Sequence, residues 1–97
     1  MNDGSSWTLL SNYGHVLVCL ASDPHMRLRD VADKVGITER AVQRIVHDLE
    51  EAKMLTRERS GRRNHYRINS RQPLRHPLEQ PRTVGELIKA VSGCNLD

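Results

Sequence analysis

The chain has 97 residues, of which 37% are hydrophobic, and this size allows one domain with a modest core but leaves little room for a deep enzyme cleft. Its aromatic residues are Trp7, Tyr13 and Tyr66, and Phe is absent, so Leu, Val, Ile and Ala must build the core, as in packed short helices. The formal net charge is +3, but residues 53–76 carry a net +7 and residues 1–52 a net −3, which favours a polyanionic partner, nucleic acid before acidic lipid, over a merely solvated basic loop.

The sequence shows no sign of a membrane segment or of export. No stretch approaches the ~18 consecutive apolar residues that a membrane-spanning helix needs, and the N-terminus lacks the basic-then-apolar pattern of a signal peptide. Cys19 and Cys94 are isolated and show no CxxC spacing, which favours two free thiols over a disulfide bridge. We therefore expect a cytoplasmic protein without a membrane partner.

Two helices are predicted in the first third of the chain. The first begins at Ser11 or Asn12 and ends near Asp23, because Pro24 disfavours helix in the residue before it. Its apolar residues recur at helical spacing at Val16, Leu17 and Leu20. A second helix of about two turns stops at Gly36. Its apolar residues follow the i, i+3, i+4, i+7 pattern at Leu28, Val31, Ala32 and Val35.

A third and longer helix is predicted after a tight turn at Gly36 and Ile37. Thr38 is a suitable N-cap, and Glu39 in the first turn favours the positive end of the helix dipole. At about 100° per residue, one side of this helix carries a buried stripe made of Val42, Ile45, Val46 and Leu49. The opposite side carries a polar row made of Arg40, Gln43, Arg44 and His47. The polar row therefore points away from the core.

A basic β-hairpin is predicted next, with strands at residues 56–59 and 64–68 around Ser60-Gly61. If Ser60-Gly61 were a two-residue turn, Glu58 would face Arg63 and Arg59 would face Arg62. Like charges facing each other at a hairpin tip make sense when a phosphate can lie between them. Ser is a poor residue for the positive φ that such a turn requires, so the sequence leaves the register open.

The rest of the chain is predicted to form a connection and one more helix. Residues 70–82 contain three prolines and should be irregular. Residues 83–86 form a capping box, and Gly93 can end the helix. Its apolar stripe, made of Val84, Leu87, Ile88 and Val91, can complete the core of its own chain or contact a second copy, and the small size of the chain favours the second copy.

The order of these elements indicates a fold that is α+β, mainly α: a winged helix-turn-helix with a three-helix core, a β-hairpin wing and an extra C-terminal helix. The expected layout is a DNA-binding domain at residues 1–69, a Pro-rich connection at 70–82, and a helix and tail at 83–97 that serve dimerisation within the same domain. In such a unit the short second helix braces the third, whose exposed face enters the ~12 Å major groove.

The stretches LRDVADKVGITERAVQRIVHDLEEAKML and TRERSGRRNHYRI resemble the winged-helix bacterial transcription regulators of the MarR and ArsR superfamily, over about residues 7–68. The resemblance implies a recognition helix at residues 39–52, a wing at 55–68, and a homodimer on a roughly palindromic operator. Metal-sensing members use clustered Cys, His or acidic ligands, which this sequence lacks, so we expect no metal and no cofactor. Drug-sensing members have longer terminal helices, so no particular small-molecule effector is indicated.

The polar row supplies the candidate base-reading residues. Arg40 and Arg44 can each donate two hydrogen bonds to guanine, Gln43 can pair with adenine, and His47 can bind a base or a phosphate. Glu51 lies on the same side about 16 Å along the axis from Arg40 and would repel DNA, so the N-terminal half should be inserted. The candidate backbone and wing contacts are Thr38, Arg29, Arg57, Arg59, Arg62, Arg63 and Arg67.

The main hypothesis is a sequence-specific regulator that binds double-stranded DNA, with a winged-helix protein-interaction module for an acidic partner as the alternative. His15 and Cys19 share a helical face, but no third ligand accompanies them, so a core thiol beside an interface histidine is favoured over a metal site. No arrangement of residues suggests a nucleophile or a phosphate loop, and an enzyme is not expected. The candidate dimer interface consists of Trp7, Val84, Leu87, Ile88 and Val91.

Overall fold

The computed structural model describes residues 6–94 and residue 96. Within them the chain forms α1 (Asn12–Ser22), α2 (Leu28–Val35), α3 (Glu39–Glu51), β1 (Leu55–Ser60), β2 (Arg63–Ile68) and α4 (Val84–Ser92). The predicted winged helix-turn-helix, mainly helical with one antiparallel hairpin, is confirmed. Residues 1–5 of the predicted DNA-binding domain, and residues 95 and 97 of the predicted tail, lie outside the described residues.

The core lies between the first three helices and is closed by the hairpin and α4. The predicted apolar stripes of α1 and α3 are buried in it, whereas in α2 Val31 and Ala32 are buried and Leu28 and Val35 are half-buried. The hairpin adds Leu55, Tyr66 and Ile68. Each fully buried Val, Leu or Ile contributes about 1.5–3 kcal/mol relative to an exposed side chain. The core residues of the three helices are Val16, Leu17, Leu20, Val31, Ala32, Val42, Ile45, Val46 and Leu49.

The turn between α2 and α3 forms as the sequence indicates. Gly36 ends α2 in the left-handed region at φ +88°, and Gly36 N–H donates to the carbonyl of Ala32 at 2.8 Å. Thr38 then caps α3, with its hydroxyl accepting from the N–H of Ala41 at 3.0 Å. Because glycine adopts this φ without the penalty that a side chain brings, α3 can start directly beside the helix that braces it.

The hairpin register corrects one prediction. Ser60 pairs with Arg63, so the turn is Gly61-Arg62 and not Ser60-Gly61. Gly61 takes φ +64° at the first turn position, which suits glycine and would strain serine. Glu58 consequently faces His65, and Arg59 faces Asn64. The pairs considered for a turn at Ser60-Gly61, Glu58 with Arg63 and Arg59 with Arg62, are therefore not formed.

The placement of α4 corrects a second prediction. Val84 and Ile88 are fully buried in the core of their own chain, where α4 packs on α1, so these two side chains are not open to a second copy. Leu87 is half-buried, whereas Val91 and Trp7 are exposed. The physical reason is that residues 72–74 and 82–84 draw together, with Leu74 N–H donating to Arg82 O and Val84 N–H to Gln72 O, which returns α4 to the body of the chain.

Candidate nucleic-acid interface

The polar row forms an open face on α3. Its members, Arg40, Gln43, Arg44 and His47, are all exposed. In the described part of the chain, no ion pair engages these side chains, and no hydrogen bond between side chains does so either. Beneath them, α2 and the buried stripe of α3 fix the helix against the core. The arrangement leaves a row of donors and acceptors on a supported helix.

The tip of the hairpin carries two exposed cations, Arg62 in the turn and Arg63 at the start of β2. Arg59, also exposed, donates through Nε to the carbonyl of Gly61 at 3.3 Å. Arg67 lies 3.9 Å from Glu58 and keeps a largely exposed side chain. We call residues 59–63 the wing tip, and it concentrates positive charge at the end of the molecule that the hairpin reaches.

Arg57 lies at the base of the wing and is held there. Its guanidinium donates to Oε1 of Glu50 at 2.8 Å and to Oε2 at 3.3 Å, and lies 6.0 Å from the centre of the Tyr66 ring. The hydrogen bond to Glu50 is the main reason why the pKa of Arg57 is raised. Arg57 therefore links the last turn of α3 to the hairpin, and its guanidinium is already paired within the protein.

A groove of about 770 Å³ runs between α3, the wing and the start of α2. It brings Gln43 of the polar row together with Arg62 and Arg63, which lie far from it in sequence. Arg29, predicted as a phosphate contact, is exposed on α2 but is not among the residues lining this groove. The full lining is His25, Met26, Arg27, Leu28, Glu39, Gln43, Arg57, Arg62, Arg63, Asn64 and Tyr66.

Sequence reasoning misses His25, Arg27 and Asn64 in this groove. The segment before α2 reaches the wing because Tyr66 N–H donates to the carbonyl of Pro24 at 2.9 Å, and the His25 and His65 rings stack with centroids 4.7 Å apart. No periodic pattern marks these contacts. Arg27 is exposed at the N-cap of α2, and its place immediately before the first apolar residue of that helix is the signal that the sequence offers.

The cysteine and histidine positions carry no metal-site geometry in residues 6–94 and 96, where no cluster of three or more His, Cys, Asp or Glu side chains could hold an ion. Nδ1 of His15 lies 3.3 Å from the side-chain oxygen of Asn12. Cys19 packs against the core, and burial raises the pKa of its thiol. In the same residues, no helix is both long and apolar enough to cross a membrane.

Residues 14–56 match a family model described as winged helix-turn-helix DNA-binding, and this match runs from α1 into β1. The chain has the winged helix-turn-helix fold, and its similarity to this DNA-binding family is limited to the matched residues, which are less than half of the chain. A MarR family protein of Mycobacterium tuberculosis, solved in complex with salicylic acid, has the same fold with a TM-score of 0.54 and 22% sequence identity. The similarity covers 65% of this chain and 50% of the other, so the winged-helix domain described here corresponds to about half of that protein's length. No curated protein matches the sequence significantly.

Proposed function

We propose that this protein is a transcription regulator that reads duplex DNA with the polar row of α3 and binds the flanking phosphates with the wing tip. The observation that carries this proposal is the exposed polar row, unpaired within the described residues, beside an equally exposed basic hairpin on a fold whose family model is DNA-binding. A helix braced from behind and polar in front suits insertion into the major groove.

The base-reading chemistry follows from the side chains of the polar row. Arg40 and Arg44 suit guanine, whose O6 and N7 accept two hydrogen bonds from one guanidinium, and Gln43 suits adenine. Each such contact discriminates against a wrong base by about 1–3 kcal/mol. His47, one turn beyond Gln43, completes the row with a base or phosphate contact.

The candidate contacts to the DNA backbone differ in whether the side chain is already paired within the protein. Arg62 and Arg63 of the wing tip are the main candidates for phosphate or minor-groove binding, with Arg59 and Arg67 beside them. The Thr38 hydroxyl already caps α3, so its phosphate contact would use the N-terminal end of the helix. Arg57 is paired with Glu50, so its contribution is to hold the wing beside α3. Arg29 would contact phosphate outside the groove.

Acidic side chains limit how far α3 can enter DNA. Glu50 is neutralised by Arg57, but Glu51 is exposed at the end of α3. The distance from Arg40 to Glu51 along the axis is about 16 Å at 1.5 Å per residue. The N-terminal part of α3, up to His47, is therefore the part proposed to lie in the groove.

A homodimer is part of the proposal. Trp7 is 74% exposed, and Val91 is 49% exposed on α4, which leaves apolar surface for a second copy even though Val84 and Ile88 are buried. Two copies related by a two-fold axis would read half-sites separated by about 34 Å, one turn of DNA.

The alternative, a protein-interaction module for an acidic partner, predicts no preference among DNA sequences. Duplexes selected from a randomised library should bind more tightly than scrambled duplexes if the main proposal holds. Equal binding of selected and scrambled duplexes would contradict the main proposal and favour the protein-interaction module.

Two groups of variants distinguish the recognition of bases from the electrostatic attraction to phosphates. Arg40→Ala and Arg44→Ala should reduce the preference for selected over scrambled duplexes, by about 1–3 kcal/mol each. Arg62→Ala/Arg63→Ala should weaken binding to both duplexes and flatten the slope of log K against log salt by about 0.9 for each phosphate that the wing tip no longer neutralises. Lys89→Ala, which removes one exposed cation from α4, is the matched control and should change neither quantity appreciably.

A further inference from the structure

Tyr13 joins the start of α1 to the recognition helix. Its hydroxyl donates a 2.6 Å hydrogen bond to Oδ2 of Asp48, in the last part of α3. Hydrogen bonds from a hydroxyl to a carboxylate at this length are charge-assisted and are about twice as strong as neutral ones. Asp48 is half-buried and Tyr13 is 41% exposed, so the bond lies at the edge of the core.

Asp48 follows Arg44 by four residues, so their side chains lie on adjacent turns of the same side of α3. An arginine and an aspartate at this spacing attract each other and can form an ion pair on a helix. Across the described residues, however, no ion pair joins Arg44 to Asp48. The carboxylate accepts from Tyr13 instead.

Tyr13 is also close to the polar row. A cleft of about 520 Å³ is lined by Tyr13, Arg40 and Arg44 together with Thr38, Ala41 and Ile45. The hydrogen bond to Asp48 is the main cause that raises the pKa of the Tyr13 hydroxyl, whereas the positive charge of Arg44 acts in the opposite direction. Arg44, Asp48 and Tyr13 therefore form one electrostatic group, in which Oδ2 of Asp48 is bonded to Tyr13 and the nearby guanidinium of Arg44 is not paired with this carboxylate.

We propose that Tyr13 is a positioning residue for DNA reading, whose hydroxyl occupies Asp48 and thereby keeps Arg44 available for a base. Without this hydroxyl, Asp48 pairs with Arg44, and DNA must break that pair before Arg44 can reach a base edge. This inference rests on the proposed function, because it concerns how Arg44 is presented to the groove.

The test is a double-mutant cycle on binding to the selected duplex. Tyr13→Phe removes one oxygen from a partly exposed side chain and should lower affinity about two- to five-fold, the range set by exposed ion pairs. The same substitution made together with Asp48→Asn should cost nothing, because the amide carries no charge to attract Arg44. It should also cost nothing when made together with Arg44→Ala. Thermal unfolding of each variant shows that the fold is retained.

Each other outcome overturns the inference. A loss of affinity from Tyr13→Phe that persists with Arg44→Ala means that the hydroxyl binds phosphate directly or only supports packing of α1 on α3. No loss of affinity at all means that Arg44 and Asp48 do not compete. If the wild type binds selected and scrambled duplexes equally, the proposed function is contradicted, and the positioning role of Tyr13 is contradicted with it.

Discussion

The side chain of Glu86 makes several of the hydrogen bonds that cap the start of α4. Its carboxylate accepts from the backbone N–H of Thr83 at 2.9 Å and from Arg82 at 3.0 Å, while the Thr83 hydroxyl accepts from the N–H of Glu86. The bond from the Thr83 backbone is the main reason why the pKa of Glu86 is lowered, with Arg82 next. The bonds that the carboxylate accepts from the Thr83 N–H and from Arg82 favour its ionised form.

The stability of the protein should therefore depend on the ionisation of Glu86. Because its pKa is lower in the folded state, its stabilising effect is complete above the ordinary Glu pKa of about 4.3 and is lost as the pH falls through the folded-state value. We expect Glu86→Gln to lower the melting temperature at pH 7, and the difference from wild type to shrink as the solution is acidified. Thermal unfolding followed by circular dichroism measures both.

A control for this prediction is Glu51→Gln, at the other end of a helix. Glu51 is exposed in the last turn of α3, where a negative charge opposes the helix dipole. Its loss should not lower the melting temperature at neutral pH. If the two variants behaved alike, the capping box would not be the source of the effect.

Among the elements, the helices follow from local signals and the hairpin register does not. Periodic apolar residues and local end signals, such as Gly36 and Thr38, define each helix within a few residues. The burial pattern of β1 has one buried residue followed by five exposed ones, so no alternation fixes its pairing. The turn at Gly61-Arg62 depends instead on which residue tolerates positive φ.

The packing of α4 depends on a close approach between Gly85 and Ser70, which the apolar pattern of the helix does not predict. A Cβ atom added at Gly85 would lie 2.7 Å from Cβ and 2.8 Å from the carbonyl oxygen of Ser70, and the Gly85 N–H donates to that same oxygen at 2.9 Å. We expect Gly85→Ala to lower the free energy of unfolding by about 1–3 kcal/mol, because α4 must move away from residue 70. Urea unfolding measures the change.

Gly14→Ala is the matched control, since Gly14 also lies in a helix. Its added Cβ would lie 3.3 Å from Cβ and 3.4 Å from Cδ1 of Leu10, contacts much milder than those at Gly85, and alanine is the better helix residue by about 0.5–1 kcal/mol. Stability should stay constant or rise. A comparable loss of stability at both positions would contradict the close-approach explanation at Gly85.

At the scale of the whole molecule, the sequence predicts which faces are polar but not which polar groups pair with each other. The polar row and the wing tip can be predicted from residue spacing and charge, because each lies within a single helix or hairpin. The pairs Tyr13 with Asp48 and Arg57 with Glu50 depend on how α1 and the hairpin pack on α3, which no local pattern encodes. Likewise an apolar stripe has the same spacing whether it faces its own core or a second copy, so the pattern alone places Val84 and Ile88 on the wrong surface.

The remaining apolar surface gives the last prediction, which concerns assembly. Wild type should scatter light with a mass of twice the 11.1 kDa of one chain, and Trp7→Ser/Val91→Ser should return it to one, because these side chains are exposed without the second copy. The same variant should lose affinity for a duplex with two half-sites about 34 Å apart but keep its affinity for one half-site. Leu78→Ser, at a side chain 90% exposed on the connection between β2 and α4, is the control and should leave the mass unchanged. A wild-type mass of 11.1 kDa would mean that the chain does not dimerise, and dissociation by Leu78→Ser would place the dimer surface on the connection instead.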